Sequence, residues 1–294
     1  MAAAATRCFK NLDLNSAKFS HVINKLRGFC LKKGMVEVSA QHRLSILASC
    51  ENVDSIAIFN YADIKWPLSQ TTQMHLEFEL LKNPKPFGYF SIGTSYRNEQ
   101  NPIPGRHDLI FPMFEFELHG GFNELKKFET EMIRSIGYNG KIDGGEYRDI
   151  AKKFNTDDIS HEHEQTIYKS GSPVFFLQNF PTETNAFWNM ARFKDGTAKK
   201  IDVIMAGMET FGSAERSCNP DEMRHLFKTM TNGEYAGILY RHFGEKRVNQ
   251  ELEEFLSLKF IPRSGGGIGM SRLLNFFEKE KLYPKEVEDM SRVD

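Results

Sequence analysis

The stretch Tyr96-Arg97-Asn98-Glu99, a Pro/Gly loop ending in Arg106-His107, and then Phe111-Pro112-Met113-Phe114-Glu115-Phe116-Glu117 decides how this chain folds. Residues Tyr89 to Tyr96 and Pro112 to His119 are aromatic-rich and alternate, which predicts two half-buried antiparallel strands joined by that loop. On the second strand Phe114, Phe116 and Leu118 fall on one face, and Glu115, Glu117 and His119 on the other. Arg97 and Glu99, two apart, share a face of the first. Pairing would gather one arginine and three acids on the sheet. A solvated face closed by salt bridges accounts for that cluster. Arg106 and His107 add what such a face does not need, because a loop arginine can grip a polyphosphate bidentately.

Near the other end runs Gly265-Gly266-Gly267-Ile268-Gly269-Met270-Ser271-Arg272-Leu273, glycines leading into a helix whose first turn carries an arginine. It is no P-loop, because no Gly-Lys-Ser/Thr follows. It is no dinucleotide fingerprint either, because no βαβ unit surrounds it. A glycine-rich turn packed on a helix is one reading. The other has Arg272 stacking on a base or meeting phosphate.

Between these segments, Lys200 to Met208 reads as a strand carrying Asp202, with Glu209 at its end; two converging carboxylates there could hold Mg²⁺. Phe211 to Ser217 reads as a strand ending near Arg216, its small residues letting a ligand approach the backbone. Pro173 to Asn179 is a further apolar strand. Helices are expected at 16–33 with Gly34 as the stop, at 123–136, from Asn219-Pro220-Asp221-Glu222 to Asn232-Gly233, and near 235–242 and 248–258. Met35 to Val38 is a short strand. His161-Glu162-His163-Glu164 is no metal pair, since its histidines lie two apart and do not face together on a helix; it reads as a helix start. The pattern is mixed α/β, of the α+β kind, around an antiparallel sheet flanked by helices. No linker divides it, so residues 1–294 are read as one domain.

Bulk properties narrow the function. Of 294 residues 40% are hydrophobic, enough for a sizeable core, and the formal net charge of -1 lacks the basic excess typical of nucleic-acid binders. Four cysteines without short paired spacing fit neither zinc ribbons nor redox motifs and suit a reducing cytosol. No signal peptide is evident, and no apolar run approaches the ~18 residues of a membrane span. A soluble cytoplasmic protein is the expectation.

Arg97-Asn98-Glu99 through Phe111 resembles motif 2 of the class II aminoacyl-tRNA synthetases, and Gly265 to Leu273 resembles motif 3. The form of both is similar to the aspartyl and asparaginyl branch and its ammonia-dependent, asparagine-making relatives, over roughly Gly34 to Leu274. The resemblance implies a class II catalytic domain that uses ATP and Mg²⁺. Arg97 would bind the α-phosphate and the activated carboxyl, Glu99 would contact adenine, and His107, with Arg106 beside it, would reach the terminal phosphate. Phe111 and Arg272 would sandwich adenine, and Asp202 and Glu209 would hold Mg²⁺. Gln73 matches a glutamine that binds the substrate amino group, with Glu51 assisting. Arg216 would grip the side-chain carboxylate of aspartate, and Glu115 would stand near that end as a candidate base for ammonium. Implied partners are aspartate, ammonia and ATP, in a homodimer. Where motif 1 has a proline, Gln41 stands here. Only about thirty residues precede that region, too few for a five-stranded anticodon-binding barrel. That points to asparagine synthesis without tRNA. A tRNA or other acceptor, and a non-catalytic amino-acid or adenylate-binding regulator, are the alternatives.

Overall fold

The computed structural model describes residues 14–40, 44–47, 52–182, 184 and 187–291. Glu51, Gln41 and Cys50 lie outside them. Among the described residues no helix is long and apolar enough to cross a membrane.

The chain opens with α1 (Ser16–Lys32), whose N-cap Asn15 accepts the Lys18 N–H at 3.1 Å and whose end is fixed by Gly34 at φ +80°. Then come β1 (Val36–Glu37), a hairpin of β2 (Ile58–Tyr61) and β3 (Ile64–Pro67), and α2 (Gln73–Lys82). The decisive pair follows as β4 (Gly88–Tyr96) and β5 (Ile110–His119), then α3 (Phe122–Ser135), β6 (Ile142–Glu146), α4 (Tyr147–Phe154) and α5 (His161–Lys169). The rest is β7 (Val174–Phe180), β8 (Ala198–Met205), β9 (Met208–Glu215), α6 (Pro220–Thr229), α7 (Glu234–Phe243), α8 (Glu245–Leu256), β10 (Arg263–Gly269), α9 (Met270–Lys279) and α10 (Lys285–Ser291).

Eight strands form one sheet in the order β1-β4-β5-β10-β9-β8-β7-β6. Only the outermost pairs, β1 with β4 and β6 with β7, are parallel. The alternation on β5 sorts the two faces. Phe114, Phe116 and Leu118 join Ile268, Phe211 and Val203 in the main core beneath α1, α3 and α9. Burying a side chain of this size contributes roughly 1.5–3 kcal/mol. A second apolar cluster, around Trp188, Phe227, Leu239 and Phe255, packs α6 to α8 on the opposite side.

Three sequence expectations change. The strands are not half-buried: Glu115 and Glu117 are as buried as their phenylalanine neighbours, because helices cover both faces. Lys200 to Met208 is not one strand but two, β8 and β9, reversed by Ala206 (φ +48°) and Gly207 (φ +80°). The glycine run is no turn. It is β10, a central strand paired on both sides.

Candidate active site

Register places the glycines. Gly267 of β10 stands opposite Glu115 on one side and Gly212 on the other, and Gly265 opposite Glu117 and Ala214. Gly93 of β4 faces Met113. The face that presents Met113, Glu115 and Glu117 on β5 therefore continues as Gly269, Gly267 and Gly265 on β10 and Gly212 on β9. This is a floor largely free of side chains. A Cβ at Gly265 would lie 1.9 Å from Glu117 Oε2 and 2.4 Å from the Phe116 carbonyl oxygen, so only glycine fits. Over this floor opens a cavity of about 1170 Å³, larger than the ~300–1,000 Å³ of a single-ligand pocket.

Arg97, Glu99, Arg106, His107, Phe111 and Arg272 all line the cavity. Arg97 leaves β4 with its N–H bonded to the Leu109 carbonyl at 2.8 Å, and its guanidinium lies 5.4 Å from the centre of the Phe111 ring. Glu99 and His107 meet at 2.8 Å through Nδ1. Arg106 instead turns to α5, where its Nη2 donates to both oxygens of Glu164 at 2.9 and 2.8 Å. Arg272 donates from Nη1 to the Glu209 carbonyl and from Nη2 to the Arg106 carbonyl at 3.4 Å.

Asp202 and Glu209 also line the cavity, brought together by the β8–β9 hairpin. A Cβ on Gly212 would stand 3.2 Å from Glu209 Oε1 and 3.8 Å from Asp202 Oδ1, so the two carboxylates converge on that glycine. Lys200 donates to Asp202 Oδ2 at 2.6 Å while lying 3.9 Å from the Phe180 ring centre. Oδ1 is buried without a partner. Burial pushes the Asp202 carboxyl up, Lys200 opposes that, and the charge of Glu209 adds to it. A divalent cation fits this donor set. It would satisfy Oδ1 and relieve the repulsion between the two acids. Among the described residues no third metal-ligating side chain joins them. Two carboxylates with water and phosphate oxygens completing the shell is the pattern of Mg²⁺.

Gln73, Glu115 and Arg216 come together, but in a closed polar network rather than on the cavity wall. All three are 0–1% exposed. Glu115 accepts from the Thr71 hydroxyl, from the Thr72 N–H at 2.8 Å and from the Thr72 hydroxyl at 2.7 Å. Burial raises its carboxyl, with these bonds and Arg97 opposing. Gln73 Nε2 donates to Glu117, which Arg216 reaches at 3.4 Å. Arg216 also faces Glu77 at 3.7 Å, and Arg263 donates to Glu77 at 2.7 Å. Burial pushes the Glu117 carboxyl up against the pull of Arg216 and Arg263.

Sequence reasoning missed Glu77, Arg263, Glu164, Lys200 and Arg192, the last two lining the cavity. Two signals were available. Glu77 lies four positions after Gln73, hence on the same helix face. Arg263 lies two before Gly265, hence on the floor side of β10.

A six-stranded antiparallel core flanked by helices, with its cavity on a glycine floor between Arg97 and the Asp202–Glu209 pair, is the catalytic fold of the class II aminoacyl-tRNA synthetases. The chain belongs to the tRNA synthetases class II (D, K and N), whose family model matches residues 10–282. It is 18% identical to a lysine–tRNA ligase of Saccharolobus solfataricus, over 86% of this chain and 59% of that protein. It is 25% identical to an aspartate–tRNA(Asp) ligase of Pyrobaculum aerophilum, over 54% and 35%. In three dimensions it is similar to an asparaginyl-tRNA synthetase of Pyrococcus horikoshii complexed with asparaginyl-adenylate. There the TM-score is 0.72 at 19% identity, covering 89% of this chain and 64% of that one. The chain thus spans less than two thirds of the length of these relatives.

Proposed function

We propose that this protein is a cytoplasmic, homodimeric, ATP- and Mg²⁺-dependent ligase that amidates aspartate with ammonia, giving asparagine, AMP and pyrophosphate. The observation that carries this reading is the glycine floor, flanked on one side by Arg97 on Phe111 and on the other by Asp202 and Glu209. A nucleotide can lie flat on backbone there, with an arginine at its phosphates and two carboxylates for the metal. Arg192 and Lys200 line the same cavity, cations suited to a substrate with two carboxylates. The Pyrococcus enzyme's asparaginyl-adenylate supports an aminoacyl adenylate as the ligand of this fold.

In the first step a side-chain carboxylate oxygen of aspartate attacks the α-phosphorus in line and pyrophosphate leaves. Arg97 offsets the charge that gathers on the phosphoryl oxygens, and His107, oriented by Glu99, meets the terminal phosphate. Asp202 and Glu209 would hold Mg²⁺, which would supply Lewis-acid polarisation of phosphoryl oxygens. In the second step ammonia attacks the acyl carbon and AMP leaves. Glu115, closed off by Thr71 and Thr72, would take the proton that ammonium must lose when Thr71 releases the oxygen on the Gly267 side. Catalysis is mostly positioning and fixed electrostatics. Gln73 and Arg216 act from the network behind the floor and orient the amino and side-chain ends of aspartate.

A second reading, transfer of an aminoacyl group to tRNA, is favoured by the names of the relatives, which are tRNA ligases. One experiment separates the two. The protein is incubated with ATP, Mg²⁺, aspartate and ammonium without tRNA, and AMP and asparagine are quantified, with Arg97→Ala as the control. Equal amounts of both products, absent from the control, are expected. AMP formed only when tRNA is added, or asparagine replacing aspartate as the activated substrate, overturns the reading.

A further inference from the structure

His161-Glu162-His163-Glu164 was accounted for in the sequence as a helix start, and two of its residues, Glu162 and His163, fit that role. Ser160 is the N-cap, the His163 ring reaches back to the Ser160 N–H at 3.0 Å, and Glu162 bonds the Ser160 hydroxyl. Glu164 does not fit it. Its side chain is only 10% exposed and points away from the cap, into the Arg106 guanidinium. The same carboxylate accepts the backbone N–H of Glu209 at 3.0 Å. Arg272 repeats this pattern from the other side, donating to the carbonyls of Glu209 and Arg106. The β4–β5 loop and the strand that carries Glu209 are therefore tied together twice. One tie runs from α5 through Glu164 and one from α9 through Arg272.

We infer that Glu164 and Arg106 are a positioning pair. Arg106 does not grip the nucleotide but anchors the β4–β5 loop to the start of β9, so that His107 and Glu209 face the same cavity before any ligand arrives. The inference deepens the nucleotide reading above and rests on it. It also reverses the role the sequence suggested for Arg106. A loop arginine that is to seize phosphate stays in solvent, whereas this one has side-chain exposure of 14% and donates to both oxygens of an acid with 10%. Charge-assisted bonds of that kind are the strong ones, and a flexible loop would exchange them only at a cost. Because Glu164 also holds the Glu209 N–H, the same tether sets where the Glu209 carboxylate points.

The two roles for Arg106 give opposite signs for one substitution. If Arg106 grips phosphate, Glu164 is its competitor and Glu164→Gln tightens nucleotide binding. If the pair is a tether, Glu164→Gln and Arg106→Gln each weaken it, and the double variant is no worse than either. Glutamine keeps an oxygen for the Glu209 N–H, and Arg106→Gln alters only a loop residue, so both variants fold. ATP·Mg²⁺ is titrated calorimetrically into the wild type, both single variants and the double variant. Amide hydrogen exchange of residues 103–107 is measured on the same proteins without ligand. Expected are a loss of about tenfold in affinity in each variant, shared rather than added in the double, and faster exchange of the loop in all three. Tighter ATP binding by Glu164→Gln, additive losses, or loop exchange unchanged from wild type overturns the inference. A wild type that binds no ATP overturns the nucleotide reading instead, and the exchange data then decide the tether on their own.

Discussion

Two glycines on the same face of one strand should respond in opposite ways to a single methyl group. In Gly265→Ala the new Cβ meets Glu117 Oε2 at 1.9 Å, the Phe116 carbonyl oxygen at 2.4 Å and Gln73 Nε2 at 2.8 Å. The carbonyl belongs to β5, the registered neighbour of β10, so it can retreat only if two central strands part by about 1 Å to restore ordinary contact distances. Overpacking alone costs about 1–3 kcal/mol. Driving Glu117 off Gln73 and Arg216 disturbs a buried charged network whose rupture costs about 3–5 kcal/mol. The expected loss is about 4 kcal/mol. In Gly267→Ala the nearest atom is Met113 Cε at 2.7 Å, the far end of a flexible side chain, followed by Glu115 Cγ at 3.4 Å. Methionine can rotate aside, and the cost stays below about 1 kcal/mol. The methyl then stands on the cavity floor and weakens ATP binding. Urea unfolding followed by circular dichroism, with m-values compared to confirm a common mechanism, gives the stabilities, and ATP titration gives the binding. Gly265→Ala as stable as the wild type, or Gly267→Ala binding ATP normally, would refute the glycine floor.

Arg263→Met leaves Glu77 buried without its 2.7 Å donor and should destabilise the fold by about 3–5 kcal/mol, part of which Glu77→Leu in the same chain should restore; urea midpoints of the single and double variants check this. Glu129, buried in α3, is pushed up to about 8 from an ordinary value of 4.5, chiefly by burial, with Ser213 opposing and the charge of Asp202 adding to it. Between those values the folded state holds a proton the unfolded chain has lost, so stability falls as pH rises, by about 1.4 kcal/mol per pH unit. Glu129→Gln should remove that slope and be more stable than the wild type at pH 8. Identical pH–stability profiles would contradict the argument. Asp202→Asn, which removes one of the two carboxylates and leaves buried Lys200 without its 2.6 Å ion pair, should lower the thermal midpoint and raise the Mg²⁺ needed for half-maximal AMP formation by at least about tenfold. An unchanged Mg²⁺ requirement would remove Asp202 from the metal site.

Much of the architecture was legible because hydrophobic periodicity and helix punctuation are local. The alternation of Phe114, Glu115, Phe116 and Glu117 placed β5 and its faces, and Asn219-Pro220 placed the start of α6. What escaped was set by distant partners or by turns lacking their usual signals. Ala206-Gly207 was passed over because Met205 and Met208 continue the apolar run across it. Ala62 and Asp63 reverse the β2–β3 hairpin at φ +51° and +60° without any glycine to mark it. Gly265 to Gly269 argued against a strand by propensity, yet strands on both sides fix it as one, because the floor excludes side chains there. At the site, Arg97, Glu99, His107, Phe111 and Arg272, named from the resemblance to motifs 2 and 3, and the Asp202–Glu209 pair line one cavity. The closure of Arg216 and Glu117 into a network depends on Glu77 and Arg263, 186 positions apart, and that of Glu115 on Thr71 and Thr72. Glu164 likewise finds Arg106 across 58 positions, a pairing no local pattern announces.

The central claim is that a side-chain carboxylate of aspartate is activated on this floor as an adenylate. Aspartate labelled with ¹⁸O in its side-chain carboxylate, turned over with ATP, Mg²⁺ and ammonium, tests it most directly. The account predicts AMP carrying one ¹⁸O for each asparagine formed, because the attacking oxygen stays with phosphorus when ammonia displaces AMP. Unlabelled AMP, or nucleotide released as ADP with labelled phosphate, would contradict it.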